Sequence, residues 1–444
     1  MEINPVKGTH DIYLKEANEY QLIENTARAV AELFSYSEIR TPIIEHTPLF
    51  LRSVGESSDI VSKEMYTFDD KGGRSITLRP EMTAGVLRSV VSNKLYATPD
   101  LPLKLYYLGP CFRYERPQAG RYRQFHQFGV EVLGNPNYHL DSEVIALGHR
   151  ILISCGLTNV EVKINSLGDE TSRNNYREAL KKYFADKVDK MCEDCKRRYE
   201  VNPLRILDCK VPEDIEIVKG APKMSDFLTP EAKANLNDII ADLKSIGIEV
   251  SLDDNLVRGL DYYTGVVFEY HVKDENLVDV GAIGGGGHYA NLLKELGGPD
   301  LEGVGMSIGV ERLHYVVSQL TTPELMPKGP DVYLMGTSEY IIEQNVAFAD
   351  MLRSSGFATM MNYEVKSLKS LFKIASRNNA KLAVIIGEDE LTKNTLTVKN
   401  MLTGEQTSLK KENWENVLSD LLKEYVETYY SKVLAISKEE KEGN

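Results

Sequence analysis

From Glu302 to Arg312 the chain reads EGVGMSIGVER, with Gly or Ser at 303, 305, 307 and 309 and Val, Met or Ile between them. Alternate side chains of a strand point to opposite faces, so this segment as a strand has one apolar face and one almost bare. A bare face lets a flat group lie against the backbone. A glycine-rich turn region is the other reading of these residues alone. The lysine of a phosphate-binding Walker loop is absent. Arg312 then opens a helix.

A second segment, Phe112 to Val132, reads FRYERPQAGRYRQFHQFGVEV. Strands are expected at 103–108, 111–116 and 124–133. In the last, Phe125, Gln127, Gly129 and Glu131 share a face, opposite Phe128, Val130 and Val132; His126, on that apolar side, reads as a core residue. In the second, Arg113 and Glu115 lie opposite Phe112 and Tyr114. Four arginines fall within residues 113–123, in a chain with 52 basic and 66 acidic residues and a net charge of −14. That balance argues against nucleic-acid binding over the whole surface, though not against a local basic site. Solvated strands mix Lys, Glu and Thr; clustered guanidinium forks suit a polyphosphate.

A third segment, LVRGLDYYTGVVFEY (Leu256–Tyr270), precedes GAIGGGGHY (Gly281–Tyr289). Four consecutive glycines allow close backbone approach to a ligand, and a flexible loop has the same composition. Further strands are expected at 247–252, 264–272, 278–283 and 303–308, and helices at 140–155 and at 18–34, the latter with an apolar stripe of Leu22, Ile23, Ala27, Val30, Leu33 and Phe34. With 444 residues the chain has room for about three domains. Its composition, 42% hydrophobic and 27% charged, is ordinary for a globular protein. No run of 18 apolar residues or N-terminal apolar leader occurs, so neither a membrane span nor a secretory signal is expected. The odd count of five cysteines argues against a disulfide scaffold and for a reducing, cytoplasmic setting.

These segments divide the chain. Residues 170–225 shift toward Lys and Arg and hold three of the five cysteines, which reads as an inserted module between two parts of an α+β core, 1–169 and 226–320. TTPELMPKGP (321–330) reads as a linker. An alternating α/β domain fills 331–430: strands 331–336, 357–361, 382–387 and 395–399, with helices 338–355, 367–379 and 411–429. A polar, fraying tail closes the chain at 431–444.

Taken together, the three segments resemble the class II aminoacyl-tRNA synthetases. The FRYE…RYRQF hairpin is similar to the second class signature, GVGMSIGVER to the third, and Ile39–Pro48 to the first, which builds a dimer interface. LVRGLDYYTGVVFEY and GGGGHY, with KGTHDI (7–12) and TLRPEMTAG (77–85), resemble the histidyl-tRNA synthetase family within that class, over about residues 5–425. Lys7, Met82, His288 and Ala290 depart from the commonest pattern.

The resemblance implies an antiparallel catalytic sheet flanked by helices, an inserted helical module clasping the acceptor stem, and a C-terminal anticodon-binding domain. It implies L-histidine activation by ATP with Mg2+, transfer to the 3′ end of tRNA(His), a homodimer and no membrane partner. By position, Arg113 and Arg258 are catalytic, both also touching histidine. Arg113, Glu115, Arg121, Phe125 and Arg312 bind ATP. Glu81, Thr83 and Gln127 hold the histidine ammonium, Glu131 and Tyr263 read the ring, and Tyr289 completes the wall. Asp261 orients neighbours. Lys366, Lys369, Lys373 and Arg377 form one helical stripe in the C-terminal domain. No catalytic metal ligand is expected. Cys192, Cys195 and Cys209 suggest zinc, but no fourth ligand is evident, so structural zinc is not expected. The alternatives are a non-catalytic histidine-sensing regulatory paralogue, which typically lacks the C-terminal domain or parts of the arginine set, and a synthetase for another amino acid of the same subclass.

Overall fold

A computed structural model describes residues 3–55, 58–134, 137–273, 280–320 and 328–442. The chain divides into two compact units, Met1–Leu320 and Thr321–Asn444. Residues 321–327 of the expected linker lie outside the described residues.

The first unit is built on an eight-stranded sheet in the order Ser37–Glu38, Leu103–Phe112, Gln124–Gly134, Glu302–Gly309, Gly284–Tyr289, Val266–Val272, Val160–Ser166, Val250–Leu252. The two edge strands run parallel to their neighbours and every other pair is antiparallel. One face carries Phe128, Val130, Val304, Met306, Phe268 and Tyr270, all at most 2% exposed. It packs against helices Leu14–Leu33, Tyr138–Ser154, Pro230–Ser245 and Val310–Val317. Burying each such side chain contributes about 1.5–3 kcal/mol, so this layer anchors the sheet and leaves the opposite face to form a site.

Three expectations change. The strand expected at 111–116 ends at Phe112, and Arg113–Glu115 lie in a loop. The backbone N–H of Arg113 still pairs with the carbonyl of Arg123, but that of Tyr114 turns away to Glu64. Of the strand expected at 278–283, residues 278 and 279 lie outside the described residues, and the strand starts only at Gly284. The four glycines are therefore strand, hydrogen-bonded on both sides. In the first helix the buried stripe is Tyr20, Ile23, Ala27, Val30 and Ala31, while Leu22 and Leu33 are 49% and 82% exposed.

The insertion between Val160–Ser166 and Pro230–Ser245 is helical and has its own small core around Tyr176, Leu180, Phe184, Ile206 and Met224. The second unit is a five-stranded sheet ordered Thr359–Met361, Val332–Gly336, Leu382–Ile386, Thr395–Asn400, Gln406–Lys410. Its first three strands are parallel and its last two antiparallel. Trp414 opens the last helix and stacks edge-on against Phe348 and Phe357. That helix runs to Glu442, so the expected tail carries helical backbone up to that point. Lys369, Lys373 and Arg377 are exposed along helix Leu368–Arg377, but Lys366 precedes its N-cap Ser367 and pairs with Glu364 at 3.1 Å.

Candidate active site

The open face of the large sheet floors a cleft of about 640 Å³, a size suited to a ligand of drug or nucleotide scale. Its rim and floor carry Arg113, Glu115, Arg121, Phe125, Arg258 and Arg312, and further in Glu81, Thr83, Gln127 and Tyr263. These come from positions separated by up to 231 residues, brought together because strands Gln124–Gly134 and Glu302–Gly309 are direct neighbours.

The bare face is only partly open. Ser307 and Gly309 line the cleft, but the space above Gly303 and Gly305 is taken by the chain itself. A Cβ on Gly305 would stand 1.9 Å from the Glu131 carboxylate, and one on Gly303 would stand 2.3 Å from the Tyr289 ring. Glycine is required at both places because these side chains lie flat on the backbone.

Glu131 is therefore held below the floor. Its Oε1 accepts from the Thr83 hydroxyl (2.7 Å) and the Tyr107 hydroxyl (3.0 Å), and its Oε2 from the Tyr289 hydroxyl (2.6 Å). Burial pushes its carboxyl up to about 7, although the three hydroxyls pull the other way. Glu131 and Tyr289 are each 1% exposed and form a layer beneath the cleft wall. Glu81, likewise buried, accepts the backbone N–H groups of Thr83 (2.7 Å) and Ala84 (2.9 Å) at the start of helix Thr83–Ser92. Burial raises its carboxyl as well. The thiol of Cys111 donates to Gln127 Oε1 at 3.4 Å, and Tyr262 and Tyr263 lie ring against ring at 4.6 Å.

The mouth is cationic. Arg113 Nε donates to the Pro80 carbonyl at 2.8 Å, and its guanidinium lies 5.3 Å from the centre of the Phe125 ring. Arg121 pairs with Glu115 at 3.4 Å. Arg312 donates to the Ala282 carbonyl. Its guanidinium is pulled down to about 10, first by burial and then by Arg121, with Arg113 and Arg258 adding to the effect. Arginine almost never loses its proton, so a guanidinium buried among like charges favours an anion beside it.

Arg258 forms an ion pair with Glu269, and its Nε is buried without a hydrogen-bond partner. Burial opposes ionisation of Glu269, but a hydrogen bond from His271 (3.1 Å) and the charge of Arg258 outweigh it and hold the carboxyl at about 2. Sequence reading missed Glu269, His271 and Tyr107. Period-2 spacing from Val267 puts Glu269 on the open face, which was the available signal. His126 pairs through Nδ1 with buried Glu311 at 2.9 Å, on the packed side. Asp261 accepts from Asn202 at 3.1 Å.

Two family models match the chain: histidyl-tRNA synthetase over residues 8–313 and an anticodon-binding domain over residues 331–421. A histidine–tRNA ligase of Thermosipho melanesiensis is 47% identical over 407 residues, covering 92% of this chain and 96% of that protein. One of Bacillus subtilis is 44% identical over 418 residues, covering 94% and 99%. The crystal structure of the ligand-free Staphylococcus aureus histidyl-tRNA synthetase superimposes with a TM-score of 0.80 at 37% identity, over 94% of this chain and all of that one.

Proposed function

The chain belongs to the histidyl-tRNA synthetase family, and from that premise we propose which groups of the cleft carry each part of the ligase reaction. The protein is a histidine–tRNA ligase. It joins histidine to AMP at the expense of ATP, then passes the acyl group to tRNA. In the first step a histidine carboxylate oxygen attacks the α-phosphorus of ATP, which enters as its magnesium complex. The new oxygen–phosphorus bond forms as the bond to pyrophosphate breaks, and pyrophosphate carries away the electron pair. In the second, the terminal ribose hydroxyl attacks the acyl carbon and AMP leaves.

The first step calls for in-line positioning and fixed positive charge rather than proton transfer. Arg113 and Arg258 grip the α-phosphate from two sides, with Arg113 also on the substrate carboxylate. Arg121 and Arg312 take the β- and γ-phosphates. Phe125 stacks on the adenine and Glu115 accepts from its exocyclic amine. The histidine ammonium lies against Glu81, Thr83 and Gln127. Tyr263, in the cleft lining, and Glu131, in the layer just behind it, address the two ring nitrogens, the ring displacing what covers Glu131, and Tyr289 fixes the carboxylate. An acceptor and a hydroxyl aimed at two nitrogens reject side chains lacking them, because buried polar groups are then left unpaired.

The observation that carries this reading is the convergence of four guanidinium groups on one cleft beside a buried carboxylate cradled by three hydroxyls. The second unit reads the anticodon, with Lys369, Lys373 and Arg377 meeting phosphates. The protein works in the cytoplasm as a homodimer through the Ile39–Pro48 region, where Ile43 and Ile44 are 41% and 49% exposed; sedimentation velocity tests the dimer. The deciding experiment is ATP–pyrophosphate exchange with histidine, threonine, proline or glycine. Exchange with histidine alone is expected. Exchange with another of the four would transfer the specificity elsewhere, and exchange with none would support a regulatory paralogue.

A further inference from the structure

The insertion contains a side-chain cluster that the ligase chemistry does not use. Cys192 precedes helix Glu193–Val201 and Cys195 lies in its first turn. Cys209 follows the 3-10 turn Pro203–Asp208, and Asp214 lies in the first turn of helix Pro212–Val218. Three short elements thus present three thiols and one carboxylate to a single point. One donor atom from each residue lies within 4.8 Å of all the others. Cys192 Sγ is 3.9 Å from Cys209 Sγ, and Cys209 Sγ is 3.2 Å from Asp214 Oδ2. Tetrahedral zinc, with bonds of about 2.3 Å to sulfur and about 2.0 Å to oxygen, keeps its ligands roughly 3.5–3.8 Å apart. These two separations are within a few tenths of an ångström of such a shell, and the full set, at most 4.8 Å across, needs to close by no more than about 1 Å.

Charge makes the same point. Asp214 is 1% exposed and Cys195 fully buried, and among the described residues Asp214 forms no ion pair. Its carboxylate accepts from the Cys192 backbone N–H (3.1 Å) and from the Cys209 thiol. A buried carboxylate with no cation is costly, and buried charges are normally paired or bound to metal. We propose that Cys192, Cys195, Cys209 and Asp214 hold a structural zinc ion. Three soft thiolates favour zinc over magnesium or calcium, and four protein ligands close the shell, which leaves no position for catalysis. The fourth ligand stands five residues past Cys209, outside the common zinc-ligand spacings, and only the fold brings it in.

The ion staples a module too small to hold itself firmly, as small domains generally need. Its effect reaches the cleft. Arg198 of the same helix pairs with Asp59 at 2.8 Å, Asn202 donates to Asp261 three residues after Arg258, and Leu207 and Asp208 line the cleft. The zinc assignment does not depend on the proposed roles of the cleft residues.

The test uses the full chain, purified reduced, equilibrated with zinc and freed of loose metal by gel filtration. Elemental analysis is expected to find one zinc per chain. The cobalt(II) form is expected to show sulfur-to-cobalt charge transfer and the intense visible bands of a tetrahedral ion. Chelation should lower the melting temperature. Asp214→Asn should weaken zinc binding at least about tenfold, and Asp214→Cys should recover it. Should Asp214→Asn fail to fold, the wild-type stoichiometry and cobalt spectrum decide alone. No retained zinc, an octahedral cobalt spectrum, or a disulfide joining Cys192 to Cys209 in zinc-equilibrated protein would overturn the assignment.

Discussion

Replacing Arg258 with lysine keeps a positive charge at the cleft and removes the fork. In the structure one arm of the guanidinium is committed to Glu269, a carboxylate held ionised at about 2 with the help of His271. The remaining nitrogens are what the α-phosphate can use. A lysine has one ammonium, which can satisfy Glu269 or the phosphate but not both in fixed geometry. The loss is then that of one preorganised donor to developing charge, about 10²–10³ in rate or ~3–4 kcal/mol. The fold should survive, because Glu269 is 20% exposed and keeps His271; weakening this half-paired site should cost only about 1–2 kcal/mol, below the 3–5 kcal/mol of a fully buried pair broken outright. The assay is histidine-dependent ATP–pyrophosphate exchange at saturating substrates, beside a thermal melt. The turnover number should fall by about 10²–10³ while KM for ATP moves only a few-fold, the pattern of an interaction made in the transition state. Exchange within about threefold of wild type, from a variant that melts normally, would remove Arg258 from the reaction.

Glu131→Gln should raise KM for histidine roughly 10–100-fold, the worth of a charge-assisted hydrogen bond. Because burial lifts the Glu131 carboxyl to about 7, the folded protein holds its proton more tightly than the unfolded one. Its contribution to stability is therefore lost as pH rises from about 4.5 to about 7, and urea midpoints should show Glu131→Gln gaining on wild type over that interval, by up to ~3 kcal/mol. His288 has the same sense, over a higher pH interval and for a different cause. Burial opposes its charging, but Asp141 (3.2 Å) and Glu302 (2.7 Å) overcome this and raise it to about 10. Its contribution is complete below about pH 6.5 and vanishes as pH passes about 10, so His288→Gln should cost on the order of 3 kcal/mol at pH 6 and much less at pH 9. Deleting residues 331–444 should reduce tRNA aminoacylation at least tenfold more than pyrophosphate exchange, a ratio that equal losses would contradict.

What could be read in advance followed from periodicity, and what could not followed from its absence. Strands 124–134 and 302–309 announce themselves because apolar residues alternate with small or polar ones, and that alternation correctly assigns Glu131 and Gln127 to the open face. Gly284–Gly287 carry no side chains to alternate, so composition could not tell a strand from a loop; only pairing on both edges decides it. Leu22 and Leu33 fit a helical stripe about as well as Ile23 and Val30 do, and which stripe is buried depends on the helices packed against it. Lys366 matched its stripe by spacing and missed the helix by one cap residue. The charge relations were the least legible. Arg258 and Glu269 are eleven residues apart, Glu131 and Tyr289 are 158 apart, and nothing local in either segment marks the other as its partner. A buried carboxylate and its donors are costly apart and favourable together, so the pairing energy that shapes this site resides in the sheet order, and the sheet order is a property of the whole first unit rather than of any motif within it.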